Sequence, residues 1–349
     1  MSSEHDFKIL SIDGGGIKGL YTATVLAKIE EKFDCRVADY FDMLCGTSTG
    51  GLLALALSLK IPARDLVAFY KNQGPEIFGK DNLINNFFRT FKQTLFGGKY
   101  SDTALKSAIA GVLGDYLMSD AHTLLCIPSF NLMRGTPRVF KFPHLEGDVP
   151  FAKYGRMADV ALATSAAPTY FPIASVEDDY YIDGGVWANN PTLCGLMEAL
   201  EYFVGPQKEL LGPNIDKKFT SYSILSLASI AERANWTTRG RFGFTKRRRR
   251  SFIGWRDKLF QTSLDAQSHF ANNFAGKLTT STAVPGYYHR IESPVLAPEH
   301  YKVIGLDRAS EASLTQLESF GRSVGDHYCT RAIASIKPFF SVPKQYQTH

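Results

Sequence analysis

The stretch that most constrains this chain is Gly46-Thr47-Ser48-Thr49-Gly50. It sits between a short apolar run, Phe41 to Cys45, and an apolar helix expected from about Gly51 to Lys60. A serine at such a strand-to-helix corner is held in a strained backbone conformation, with its hydroxyl over the positive end of a helix. Glycines two residues to either side keep neighbouring atoms clear. Read this way, Ser48 is a candidate nucleophile. An ordinary glycine-rich βα turn with an incidental serine also fits the five residues alone.

A second glycine run stands earlier in the chain. Phe7 to Ile12 reads as a strand leading into Asp13-Gly14-Gly15-Gly16-Ile17-Lys18-Gly19. A helix should follow, with Leu20, Val25, Leu26 and Ile29 inward and Lys28, Glu30, Glu31 and Lys32 outward. The run also matches the dinucleotide-binding pattern, with Asp34 or Asp39 in the place of the ribose-binding acid. In either reading, three glycines before a helix present successive backbone N–H groups to an anion. The Ser48 corner decides between them. A serine nucleophile needs an adjacent oxyanion hole, and the glycine run supplies one, whereas a dehydrogenase has no use for the corner.

Composition narrows the class. With 349 residues and 44% hydrophobic content, the chain can bury a large core. Its N-terminus is polar and acidic, without a signal pattern, and Leu52–Leu59 is too short to cross a bilayer. Five scattered cysteines lack metal-ligand spacing. The expectation is a cytoplasmic, reduced, metal-free protein.

Farther along, Pro62 to Gly98 reads as helix and then irregular chain with an aromatic patch (Phe78, Phe87, Phe88, Phe91, Phe96) that fits a core or an apolar ligand site. Ser101–Leu113 reads as a helix, and Thr123–Phe130 and Arg138–Phe142 as strands. A small-residue helix near Ala158 is ended by Pro168. Tyr180-Tyr181-Ile182-Asp183-Gly184-Gly185 then reads as a strand end carrying an aspartate, with a helix from about Pro191 to Phe203. That places Asp183 on the rim where α/β sheets build their sites.

Ser48 needs a base. A triad would use Asp183 with one of His269, His289, His300 or His327; none of these lies in a distinctive turn, and His289 and His300 read as loop residues. A dyad would have a desolvated Asp183 take the proton itself. The sequence singles out Asp183 and no histidine.

Taken together, Asp13-Gly14-Gly15-Gly16-Ile17-Lys18-Gly19, Gly46-Thr47-Ser48-Thr49-Gly50 and Asp183-Gly184-Gly185 resemble the motifs of the patatin-like phospholipase family, as do Ala166-Ala167-Pro168 and Asn189-Asn190-Pro191 around the third. The resemblance implies a three-layer α/β/α fold with a central, mostly parallel sheet. It also implies a lipid acyl hydrolase in which Ser48 is the nucleophile and Asp183 the base. Gly14, Gly15 and Gly16 would form the oxyanion hole, and Lys18 would help hold their loop. Gly46, Gly50, Gly184 and Gly185 would support the motifs. No cofactor is implied for catalysis. Asp-Gly-Gly stands where many members have Asp-Gly-Ala.

The motifs cover residues 7–203, and 204–349 is expected to complete the same domain, with Ser221–Ser229 as a further strand. Between Trp236 and Lys258, nine Lys/Arg face one Asp, a local charge of +8. Arg239, Arg241, Lys246, Arg247 and Arg248 are the candidates there for lipid headgroups or for a nucleotide; a solvated loop is the plain alternative. The layout is similar to bacterial patatin-like effectors of antiviral defence. That likeness implies a cyclic dinucleotide activator, for example a cyclic GMP-AMP, peripheral action on the inner membrane, and no nucleic-acid polymer as partner. A homo-oligomer is open, as are a constitutive lipase and a nucleotide-binding module with a vestigial site.

Overall fold

The computed structural model describes residues 6–78, 100–144, 155–205, 217–231, 252–281, 284–297 and 299–348. Strand β1 (Asp6–Ile12) is buried along its whole length, the mark of a strand covered on both faces. Helix α1 (Gly19–Phe33) follows the glycine loop, and β2 (Met43–Gly46) returns parallel to β1, with Ile9 opposite Met43 and Ile12 opposite Gly46. Helix α2 (Thr49–Ser58) is apolar and buried throughout, so it belongs inside the molecule. Helices α3 (Ala63–Phe78) and α4 (Asp102–Leu113) come next, Ser101 capping α4 by accepting the Thr103 N–H.

β3 (Leu124–Asn131) lies parallel to β2, and β4 (Thr136–Lys141) turns back along β3. Helix α5 (Met157–Ser165) leads to β5 (Ala174–Val176) and β6 (Asp179–Asp183), and β6 is antiparallel to β3. The short α6 (Gly185–Ala188) and α7 (Thr192–Tyr202) precede β7 (Ser221–Leu227), which lies parallel to β1 on its other side. The long α8 (Phe252–Ser281), β8 (Gly286–Ile291), α9 (Glu311–Thr330) and α10 (Ile333–Ile336) follow. The run β3-β2-β1-β7-β8 is parallel throughout, so the sheet is mostly parallel.

Helices cover both faces. Gly195 of α7 packs over Ile9 and Cys45, while Gly51 of α2 packs against Ile127. Cys45 pairs in register with Cys126, so Ile127 points to the opposite face. The result is a three-layer α/β/α arrangement. No described helix is long and apolar enough to cross a membrane.

The strand pairing also places the site. Cys126 pairs with Cys45 of β2 and with Lys141 of β4, while Ser129 pairs with Asp183 of β6 and with Arg138 of β4. With β4 on one edge of β3, β2 and β6 must share the other. One runs parallel and the other antiparallel to β3, so their C-terminal ends approach head to head. The corner after β2 carries Ser48, and the end of β6 is Asp183.

Two sequence expectations change. Glu30 does not face solvent: it is 5% exposed, and its carboxylate accepts the Val37 N–H at 3.0 Å and the Ala63 N–H at 2.8 Å. Helical periodicity sees one helix, not the chain ends that converge on it. His289 lies within β8 rather than in a loop. Of the aromatic patch, Phe87, Phe88, Phe91 and Phe96 lie outside the described residues. Glu30→Ala should lower the unfolding free energy by ~3 kcal/mol, because two buried amides lose their acceptor. Glu30→Gln, which keeps one carbonyl oxygen, should cost less; urea denaturation measures both.

Candidate active site

Ser48 sits at the N-cap of α2 with φ 55° and ψ −124°, one of the described non-glycine residues with positive φ. A β-carbon is unfavourable there, so the surroundings must hold it. They do so from both flanks. The Ser48 N–H donates to Thr164 Oγ1 at 3.0 Å, and the Thr164 hydroxyl donates to the Pro128 carbonyl at 2.6 Å. Thr47 Oγ1 donates to the Ala188 carbonyl at 2.6 Å. Gly46 and Gly50 close the corner on each other: a Cβ on Gly46 would come within 2.0 Å of the Gly50 carbonyl oxygen.

Asp183 meets this corner from β6. Its Oδ1 accepts the Gly185 N–H at 2.7 Å, and the Ser48 side chain lies near enough to the same carboxylate to favour its ionised form. The residue is 3% exposed. Burial pushes its carboxyl up to about 6, with the nearby Ser48 side chain and the Gly185 N–H pulling partly back. A carboxylate in that state is a usable base near neutral pH. Among the described residues, none of His269, His289, His300 and His327 lines the cavity around Ser48.

That cavity encloses about 740 Å³ of empty volume, part of it open to solvent. Ser48, Asp183, Gly15 and Gly16 form its polar end. Much of the rest is apolar, with Leu52, Phe69, Ile77, Phe78, Phe171 and Leu306 among the lining residues. Phe78 thus lines this cavity and is at the same time part of the packed core. A long apolar chamber ending in a serine and a buried carboxylate suits an acyl chain with its ester at the polar end.

The glycine loop bends against this end. Gly16 has φ 58°, and a Cβ there would lie 2.2 Å from the Leu306 carbonyl oxygen, so no other residue fits. The N–H groups of Gly15 and Gly16 have no acceptor among the described residues. Gly14 differs from the expectation: its N–H donates to the Asn189 carbonyl at 3.0 Å and it does not line the cavity, because the loop turns only after it. Lys18 is buried and its Nζ donates to the Ile230 carbonyl at 2.8 Å, tying the loop to the chain after β7.

Several contributors carried no local signal. Arg290, on β8, grips Asp13 with both nitrogens, at 2.6 and 3.1 Å, directly before the glycines. Burial alone would lower the guanidinium's pKa; the facing carboxylate outweighs that and keeps it charged. Asn189 Nδ2 donates to Ser268 Oγ at 3.0 Å and its N–H to Gln267 Oε1 at 3.2 Å, so α8 steadies the residue that receives Gly14. Neither Asp34 nor Asp39 lies by the glycine loop: Asp34 borders a groove beside α1 and α3, and Asp39 pairs with Lys60 at 2.8 Å. Arg239, Arg241, Lys246, Arg247 and Arg248 lie outside the described residues.

Residues 10–193 match the family model described as patatin-like phospholipase. The chain belongs to the patatin-like phospholipase family. A protein of Pseudomonas aeruginosa named "cGAMP-activated phospholipase" is 31% identical over 339 residues, covering 95% of this chain and 91% of that protein. A Vibrio cholerae protein of the same name is 31% identical over 357 residues, covering 97% and 96%. Patatin-like protein 2 of Oryza sativa subsp. indica is 36% identical over 223 residues, covering 58% and 55%. The matches to the two bacterial proteins include the region beyond residue 193.

The raised carboxyl has a stability signature. Unfolded Asp183 ionises near its ordinary 3.8 and folded Asp183 near about 6, so the native state loses up to ~3 kcal/mol as pH rises through that interval. Asp183→Asn escapes the loss. It should be more stable than the wild type above pH ~6, with the gap closing as pH falls towards ~4; thermal melting across that range reads it out.

Proposed function

We propose that this protein hydrolyses acyl ester bonds of membrane phospholipids with Ser48 as nucleophile and Asp183 as general base. The observation that carries the reading is a serine held at a strained corner beside a buried carboxylate of raised pKa, both at the polar end of an apolar cavity. Asp183 takes the Ser48 proton as Oγ attacks the ester carbonyl. The Gly15 and Gly16 N–H groups receive the oxyanion, and each such donor contributes ~3 kcal/mol to the barrier. Gly14 positions them through its bond to Asn189. The positive end of α2 lies beneath the reacting oxygen. Collapse of the tetrahedral intermediate expels the lysolipid, its proton supplied by the Asp183 carboxyl. Water, activated by the same carboxylate, then releases the fatty acid from Ser48. No cofactor enters this scheme.

The lipid lies in a bilayer, so the enzyme must reach the membrane. Ile173 and Leu259 are each 55% exposed and stand next to cavity-lining chain at Phe171 and Phe260, an apolar rim suited to a membrane surface. The regulator reading draws on the bacterial relatives, whose printed name specifies activation by cGAMP. A cyclic dinucleotide is accordingly the proposed activator, and membrane phospholipid the proposed target.

Fatty-acid release from phospholipid vesicles, with and without a panel of cyclic dinucleotides, tests both halves. Ser48→Ala should fall to background, and Asp183→Asn should lose at least ~10²-fold in kcat. Retained activity in Asp183→Asn together with loss in a histidine variant would replace the dyad by a triad. A rate that no dinucleotide changes would leave a constitutive lipase.

The pH profile is a separate check. Asp183 must be ionised to accept the proton, so kcat/KM should rise with pH and level off above an apparent pKa near about 6. A limb near 4 would mean that the carboxyl is not desolvated in solution.

A further inference from the structure

A second cavity lies on the opposite side of the glycine loop. It holds about 570 Å³ of empty volume, part of it open to solvent. Asp13, Gly14 and Lys18 form its front wall, and α8 and the chain after β7 form its sides. Asn189, Leu264 and Leu306 line both this chamber and the catalytic cavity. The glycine loop is the partition between them.

Two polar atoms in this chamber have no hydrogen-bond partner among the described residues. Gln261 Oε1 is buried on a side chain of a residue 8% exposed, and Ser229 Oγ is buried as well. The Gln261 amide is oriented by its Nε2, which donates to Asp265 Oδ1 at 2.9 Å, so Oε1 is left as an acceptor. A buried acceptor without a donor destabilises the empty chamber, and a ligand N–H would remove that cost. Among the described residues the Lys and Arg lining the chamber are Lys18, which donates to the Ile230 carbonyl, and Arg290, which donates to Asp13 and Ser226, with His269 beside them. Asp265 and Glu292 add negative charge. This lining disfavours a phosphate and favours an uncharged group rich in N–H donors.

We propose that the chamber seats a purine base of the activating nucleotide, with Gln261 Oε1 and Ser229 Oγ accepting its N–H groups and the phosphates left at the open rim. This rests on the reading that the enzyme is nucleotide-activated. It also supplies a route from ligand to catalysis. Ser229 Oγ packs against the glycine loop so closely that a Cβ on Gly15 would lie 2.1 Å from it. Asn189 receives the Gly14 N–H and is itself held by Ser268 and Gln267 of α8. A base in the chamber therefore bears on the residues that aim the Gly15 and Gly16 N–H groups. It activates to the extent that it binds the aligned loop better than the misaligned one.

Titration calorimetry of cyclic GMP-AMP into the Ser48→Ala protein tests the site. Adding Gln261→Leu or Ser229→Ala should weaken binding about tenfold each, the loss of one buried hydrogen bond. Cyclic di-UMP, which has no purine, should bind more weakly than cyclic GMP-AMP. The rival location is the larger groove bordered by α1, α3 and α9, where Lys71 and Arg322 both reach Glu318. Adding Lys71→Ala and Arg322→Ala instead should leave affinity unchanged. Unaltered affinity in the Gln261 and Ser229 variants, or loss in the Lys71 and Arg322 pair, would overturn the chamber while leaving nucleotide activation standing. If the parent binds no cyclic dinucleotide and none changes lipid hydrolysis by the unmutated enzyme, the activation reading falls and this site falls with it.

Discussion

The meeting of β2 and β6 on one edge of β3 is the constraint on which the rest of the site depends. A parallel strand and an antiparallel one, laid end to end on the same neighbour, direct their C-termini at each other. The chain must leave the sheet at that gap in both directions. On one side it turns into α2 at Ser48; on the other it ends at Asp183. No loop has to be folded precisely over a long distance to join the two, because the sheet's hydrogen-bond register does it. The same geometry explains the carboxyl's burial, since Asp183 ends a strand inside a sheet covered on both faces. Burial raises its pKa, which is what the proposed mechanism asks of a carboxylate that acts as base without a histidine.

The parts legible in the sequence were those whose signal is local. The two glycine motifs, Ser48 and Asp183 each sit in a turn whose backbone demands show in adjacent residues, and the apolar runs beside them announce strands and a buried helix. The parts not legible were made by distant chain. Arg290 follows Asp13 by most of the molecule and looks like any arginine in an alternating strand. Thr164 orients Ser48 from the end of a small-residue helix whose composition signals close packing and nothing more. Glu30 reads as a solvent-facing helical residue because the amides that bury it come from two other segments. Gly14 stands in the glycine run yet points elsewhere, since a run of glycines does not show where the loop bends. His289 reads as loop because its strand is short and polar in part.

The glycine loop serves two environments. In front of it the surroundings are apolar and the free N–H groups wait for an anion; behind it they are polar, with a buried ion pair at Asp13 and Arg290. Glycine has no side chain to register what touches either face. The loop's orientation is therefore set by its neighbours: the Leu306 carbonyl on Gly16 and Ile17, the Asn189 carbonyl on Gly14, the Ser229 hydroxyl against Gly15. Family members can keep the motif and still differ in control by changing those neighbours.

The backbone at Ser48 also decides what counts as a faithful blank. With φ at 55°, any side chain carrying a β-carbon is strained there, and alanine inherits the strain unchanged. An alanine substitution removes the hydroxyl and leaves the corner stressed as before. Glycine at the same position would release the stress and free the start of α2 to settle differently. Two proteins without the hydroxyl would result, one keeping the native geometry and the other a relaxed one. Any difference between them in ligand binding or unfolding would report the energy stored at the corner, separately from the chemistry of the missing oxygen.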